Sequence, residues 1–288
     1  MNKKKLVFVY GTLRKHEKYH HLLEGATCVA QQSWTDGELF DTDEGYPALK
    51  KSDKSKVFGE LYLVDDQQLQ KLDELENYRG QNKRNLYNRD QQTVFTDIGS
   101  HQAYVYTLNP NDANSLKQSI NLGDWRVYNI LKTDETFSYF AYGSCMDHER
   151  FKLAKVDHFF QKQIGVGILD GYQLRYTRKL QDGGRADMVE EGGTVEGIVY
   201  EVPKACLAYL FRREGVNSGC YRPAIIAANI NGKLVNNILT FLVIDRDEET
   251  APPFHYANEI IRGGTGLLSE SYLEKIKQQL RDRFNMSI

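Results

Sequence analysis

The chain has 288 residues, enough for about two domains that each bury a core. Its 37 Lys and Arg against 39 Asp and Glu leave a net charge of −2, which argues against nucleic acid or an anionic membrane surface as a partner. No stretch approaches the apolar length of a membrane span, the run after the basic start is too short for a signal-peptide core, and the scattered Cys28, Cys145, Cys206 and Cys220 read as free thiols of a soluble cytoplasmic protein.

In chain order, Leu6-Val-Phe-Val-Tyr-Gly-Thr-Leu13 comes first: an apolar, β-branched run that reads as a buried strand ending in a glycine turn. The polar segment Arg14 to His21 then offers a helix start. A strand, a glycine turn and a polar entry can aim several backbone N–H groups into one anion-binding concavity. Further strands are predicted at Val57–Val64, Thr93–Phe95 and Ala103–Tyr106. A helix is predicted over Asp66–Glu76, with Leu69, Leu72 and Leu75 on one face and Asp65 or Asp66 as N-cap. Asn109-Pro-Asn-Asp-Ala113 is a turn leading toward another helix. The short polar stretch Lys132-Thr-Asp-Glu135 divides the halves, giving domains 1–132 and 136–288.

The second half repeats this texture. Thr136-Phe-Ser-Tyr-Phe-Ala-Tyr142-Gly143-Ser144-Cys145 restates the opening strand and loop. Strands are predicted at Gly171–Tyr176, Thr194–Glu201 and Asn237–Ile244, and helices at Ala205–Arg213 and Glu270–Arg283, with Tyr256–Ile261 a further segment of unassigned type before the last. A gapless window starting at Gly59 and Gly197 makes Gly, Tyr, Val, two Leu and a final Glu coincide, the last being Glu76 and Glu214. The leucines and valine serve a shared core. The glutamate is not a core requirement. A tyrosine follows each, Tyr87 and Tyr221. Strands and helices mix without strict βαβ alternation, so the fold class is α+β.

With these residues in hand, the chain resembles the γ-glutamylcyclotransferase-like superfamily. Val7-Phe-Val-Tyr-Gly-Thr-Leu13 is similar to the opening of its AIG2-like, γ-glutamylamine cyclotransferase branch. Tyr139-Phe-Ala-Tyr-Gly-Ser144, Gly184-Arg-Ala-Asp187, Val195–Tyr200 and Glu214-Gly-Val…Tyr221 resemble γ-glutamylcyclotransferase itself. The resemblance spans both halves, as in tandem members of Bacillus-type bacteria. It implies two tandem domains, each a small mixed β-barrel flanked by helices. It also implies release of 5-oxoproline and a free amine from a γ-glutamyl amide. By motif match Glu76 and Glu214 are the proton-moving carboxylates. The substrate-binding positions are Tyr10, Gly11, Thr12, Leu13 and Tyr87 in one half, and Tyr142, Gly143, Ser144, Cys145 and Tyr221 in the other.

The chemistry suits these residue types. The substrate's α-amine attacks its own γ-carbonyl, and intramolecular attack carries a large effective-molarity advantage. One carboxylate within reach of both nitrogens takes the ammonium proton and returns it to the departing amine. No cofactor and no metal is required, and the partner is a small molecule. Two function classes stand: an enzyme, or a module that binds a carboxylate ligand in the same cleft without turnover. Two glutamates in matched register favour the enzyme, since anion binding gains nothing from a buried carboxylate.

Several residues carry plainer readings. Glu44-Gly45-Tyr46 mimics the Glu214 stretch but sits too close to the first loop, so Tyr46 reads as a pocket wall. His16, His20 and His21 read as a solvated face. Cys145 stands where the family usually has Asn, and an inert small residue is preferred over a reactive thiol. Phe211-Arg-Arg213 replaces the Leu-Asp lead-in seen at Leu72-Asp73. Both departures fall in the second half.

Overall fold

In the computed structural model, which describes residues 4–288, the opening run is β1 (Lys5–Val9). Val7 and Val9 pack with Leu69 and Leu72 in one core cluster, and Phe8 and Tyr10 pack with Leu61, Val94 and Val105 in another. A strand covered on both faces has no polar side to alternate, which explains the continuous apolar run. The first half continues with β2 (Thr27–Asp36), β3 (Glu38–Asp41), β4 (Pro47–Lys50), β5 (Lys56–Val64) and α1 (Asp66–Leu75). Then follow β6 (Tyr87–Thr96), β7 (Gly99–Leu108), a two-residue β8 (Gln118–Ser119) and α2 (Trp125–Thr133). Strands in the order β1-β5-β2-β6-β7 close into a barrel, with β1 parallel to β7 and every other pair antiparallel.

The second half contains β9 (Thr136–Ala141), α3 (His148–Leu153), β10 (Lys162–Asp170), β11 (Gln173–Leu180) and β12 (Gly183–Val189). It goes on through β13 (Thr194–Pro203), α4 (Leu207–Arg213), β14 (Tyr221–Ile230), β15 (Lys233–Val243), α5 (Phe254–Gly264) and α6 (Glu270–Phe284). Its barrel closes in the order β10-β13-β9-β15-β14, with β9 parallel to β15. Strand for strand this is the first barrel again: β9 takes the place of β1, β13 of β5, β10 of β2, β14 of β6 and β15 of β7. The two compact units are Met1–Asn129 and Ile130–Ile288. The fold is thus α+β, two tandem barrels with flanking helices.

Each barrel positions its glutamate through a short helix. Asp65 caps α1 with a reciprocal pair of bonds: Gln68 N–H donates to Asp65 Oδ1 at 2.8 Å, and Asp65 N–H donates to Gln68 Oε1 at 2.9 Å. Such a capping box fixes where the helix begins. The helix ends at Leu75, leaving Glu76 as C-cap, its N–H 3.0 Å from the Leu72 carbonyl. Glu214 is the C-cap of α4 in the same way, 2.9 Å from the Leu210 carbonyl.

Three expectations are corrected. Arg14 to His21 is not an α-helix start but a chain of turns ending in a 3-10 turn at His20–Leu23. The reason is Arg14, which leaves the polar surface to pair inside the barrel with Asp124 at 2.8 Å and Glu60 at 3.3 Å. The histidines are not a uniformly solvated face either. His20 is half-buried, with Nδ1 3.1 Å from the Leu13 carbonyl oxygen and its ring against Tyr62, while His21 is exposed. The turn at Asn109 leads only to a 3-10 segment, Pro110–Ser115, and then to β8.

Candidate active sites

Both glycine loops lie where the first strand of a barrel ends against a hairpin. A Cβ on Gly11 would come within 2.7 Å of the Pro47 ring, and one on Gly143 within 3.0 Å of the Ala186 Cβ. These glycines therefore serve close approach rather than an unusual backbone angle. Among the described residues, the N–H groups of Gly11, Thr12 and Leu13 have no intramolecular acceptor, and neither do those of Gly143, Ser144 and Cys145. The preceding tyrosines anchor the loops. Tyr10 OH donates to the Tyr106 carbonyl at 2.8 Å, and Tyr142 OH to the Phe241 carbonyl at 2.6 Å. Burial raises both phenols well above their ordinary pKa, so they remain donors.

The first loop opens on a cavity of about 220 Å³ that Tyr10, Gly11, Thr12, Leu13, Glu76 and Tyr87 all line. Tyr46 is part of its wall, and Glu44 is not among its lining residues. Burial pushes the Tyr46 phenol up to about 12, and its hydroxyl donates to Glu44. Tyr87 OH donates to the Pro47 carbonyl at 3.3 Å. Glu76 is the one charged residue of this lining, and among the described residues its carboxylate has no hydrogen-bond or ion-pair partner. Burial alone pushes its carboxyl up to about 7.

The second cavity, also about 220 Å³, is lined by Tyr142, Gly143, Ser144, Cys145, Glu214 and Tyr221. Tyr221 OH donates to the Ala186 carbonyl at 2.7 Å, the counterpart of the Tyr87 bond. Burial raises the Glu214 carboxyl too, but Arg213 works against it from 3.4 Å. Arg213 also donates to Ser144 Oγ at 3.2 Å and to Tyr209 OH at 3.1 Å. Sequence reasoning assigned no role to several groups here: Tyr256, whose hydroxyl accepts from Ala186 N–H at 3.1 Å, and Arg150, Arg178 and Arg185. Arg185 and Ala186 lay inside a quoted motif, Gly184-Arg-Ala-Asp187. The buried Asp187 beside them braces the hairpin. It accepts from Thr177 Oγ1 at 2.9 Å, Met188 N–H at 2.8 Å, Val243 N–H at 3.0 Å and Arg246 Nε at 2.5 Å.

Residues 7–127, and again 139–258, match the family described as Gamma-glutamyl cyclotransferase, AIG2-like. The chain belongs to this γ-glutamyl cyclotransferase family. It is 42% identical over 277 residues to YkqA of Bacillus subtilis (strain 168), covering 96% of this chain and 97% of that one. The crystal structure of YkqA superposes with a TM-score of 0.87 at 41% identity, over 97% of this chain and 98% of that one. The γ-L-glutamyl-butirosin B γ-glutamyl cyclotransferase of Niallia circulans is 36% identical over 125 residues, covering 43% of this chain and 77% of its own length. Human γ-glutamylcyclotransferase is 31% identical over 154 residues, covering 50% and 79%. The chain is thus a member of an enzyme family that acts on small molecules.

Among the described residues no three His, Cys, Asp or Glu side chains gather as a metal site would need. The four cysteines form no disulfide among the described residues, and Cys145 and Cys206 are buried. No described helix is long and apolar enough to cross a membrane.

Proposed function

We propose that each half closes a γ-glutamyl amide on itself, releasing 5-oxoproline and a free amine. The observation that carries this reading is Glu76: a carboxylate without a protein partner, in the same cavity as a loop of open N–H groups. The α-amine nitrogen attacks the γ-carbonyl carbon as the carboxylate takes an ammonium proton. The C–N bond to the amine portion then breaks as that proton passes to the leaving nitrogen, and the attacking nitrogen gives up its second proton by the same carboxylate, so that 5-oxoproline leaves as the neutral lactam and the amine as its ammonium. A carboxyl with a pKa near 7 suits a group that must both accept and return a proton at neutral pH. The loop N–H groups hold the glutamyl α-carboxylate or the developing oxyanion. Tyr10 and Tyr142 fix the loops, and Tyr87 and Tyr221 wall the cavities beside the glutamates. Glu214 does for the second half what Glu76 does for the first. The free thiols fit a reducing, cytoplasmic setting.

The test is a screen of γ-glutamyl compounds for 5-oxoproline release by the full chain and by the Glu76→Gln/Glu214→Gln double variant. Release by the parent and its loss in the variant is the expected result. Tight binding without release by the parent would instead mark a carboxylate-binding module. Expression of 1–132 and 136–288 as separate chains tests whether each half holds a complete site.

A further inference from the structure

The two cavities differ most where a hairpin reaches the rim. In the first half the β3–β4 connection and the start of β4 bring Tyr46 and Pro47. In the second half the β11–β12 hairpin brings Arg178, Leu180, Arg185 and Ala186. Arg178 and Arg185 are register partners, so two cations stand directly opposite each other on one face of a two-stranded ladder. Like charges so placed destabilise a sheet. Arg185 is compensated: Nη2 donates to both Asp182 carboxylate oxygens at 2.8 Å, and the guanidinium lies 4.9 Å from the Tyr256 ring centre. Arg150 is held by Glu259 at 2.5 Å, and Arg213 by Glu214. Arg178 is not neutralised. Among the described residues its one polar partner is the Cys220 sulfur, 3.2 Å from Nη2. A half-buried guanidinium with open donors therefore faces the cavity.

We propose that Arg178, the uncompensated member of this pair, is an anion clamp that reads a carboxylate on the amine portion of the second site's substrate. This rests on the cyclotransferase reading above. The γ-glutamyl portion is common to both sites, and the first cavity holds it with no basic residue in its lining. The added cation of the second cavity therefore answers to what differs, the departing amine. A planar guanidinium recognises a carboxylate through paired N–H donors. The second site then takes γ-glutamyl amino acids or peptides. The first, walled by Tyr19, Tyr46 and Leu86, takes γ-glutamyl derivatives of uncharged amines.

The experiment uses the full chain carrying Glu76→Gln, so that only the second site turns over. γ-Glutamyl-alanine is compared with γ-glutamyl-ethylamine, which differs by the one carboxylate. Arg178→Gln is expected to raise KM for γ-glutamyl-alanine by about tenfold or more, the loss of one charge-assisted contact. KM for γ-glutamyl-ethylamine and kcat for both stay as they were, and Arg178→Lys recovers part of the loss. An equal rise in KM for both compounds would mean that Arg178 holds the glutamyl carboxylate, and overturns the proposal. So does no change in either. If this chain releases no 5-oxoproline from either compound, the cyclotransferase reading of the second site fails. The calorimetric Kd of the same pair then tests the clamp by itself. A loss confined to γ-glutamyl-alanine on Arg178→Gln upholds it, and any other pattern overturns it.

Discussion

Leu75 precedes Glu76, and Arg213 precedes Glu214. This position contributes most to the electrostatic difference at the two carboxyls, with Arg150 adding to it in the second half. Beside a leucine, a buried carboxyl is left with its desolvation cost, and its proton affinity climbs to about 7. Beside an arginine 3.4 Å away, the same burial is partly undone. The scaffolds repeat strand for strand, yet the buried carboxyl in each is tuned by its neighbours. A duplicated fold thus keeps the geometry of a site while its electrostatics diverge.

The sharpest break of this comparison is removal of each carboxylate in turn. Glu76→Gln should lower 5-oxoproline release from a γ-glutamylamine by about 10²–10⁴-fold, the usual size of a general acid–base contribution. On that substrate Glu214→Gln should do much less. With a γ-glutamyl amino acid the order should reverse. Rate measurements on both single variants check this, and equal effects on both substrates would erase the division.

A large stability effect is expected at Arg14, whose place in the repeated loop is held by Met146 in the second half. Glu60 likewise corresponds to Ile198. One barrel keeps a buried ion cluster where the other keeps apolar side chains. Arg14→Met alone removes the guanidinium that Glu60 and Asp124 share and should cost about 3–5 kcal/mol in denaturant unfolding. Adding Glu60→Ile should restore part of the loss. A single mutant of unchanged stability would show that the cluster is energetically idle.

The pH dependence sharpens the contrast further. The carboxylate must be ionised to accept the ammonium proton, so kcat/KM should rise with pH through its pKa. For the first site, isolated by Glu214→Gln, that acid limb should lie near 7. For the second site Arg213→Leu removes the opposing cation and should move the limb upward. Leu75→Arg should move the first limb downward. A shift of one pH unit corresponds to about 1.4 kcal/mol, or up to about tenfold in rate below the limb. Stability should carry the same sign. A carboxyl whose folded pKa is raised stabilises the fold below its unfolded pKa, and that contribution disappears as pH rises through about 7. Glu76→Gln should therefore raise the Tm at pH 8 and leave it nearly unchanged at pH 4.

The last contrast concerns the loops. Gly11→Ala meets the Pro47 ring at 2.7 Å, whereas Gly143→Ala meets a methyl group at 3.0 Å. Overpacking of this kind costs about 1–3 kcal/mol. The first site should lose more turnover than the second, measured as kcat/KM on each site's own substrate.

The sequence made some of this legible and hid the rest for physical reasons. Strand β1 was readable because both faces are buried, and α1 because its capping residues and leucine spacing are local signals. The two loops and two glutamates were readable because the chain states them twice. Strands β2 and β10 were not. Thr27–Asp36 exposes its first three residues and mixes glutamines into its core positions, and Lys162–Asp170 is interrupted by glycines. Arg14 was misread because its burial depends on Glu60 and Asp124, both far away in sequence. Arg178 lay beyond the predicted strand Gly171–Tyr176 and drew no reading. Only the register that sets it opposite Arg185, on the face lining the cavity, gives it a meaning.

The parallel closure of each barrel bears on how the chain is made. Val7 pairs with Tyr104, and Ser138 with Ile238, so the first strand of each unit must wait for its last. Loop closure over such spans has to precede the contacts that reward it, which slows folding. On a ribosome the first barrel can close only after β7 has emerged, by which time β9 is about to follow with a similar apolar pattern. Two copies that share so much of their pattern risk pairing a strand of one with a strand of the other. The charged cluster inside one barrel and the apolar filling of the other make that exchange costly, since Arg14 finds its carboxylates only in its own half.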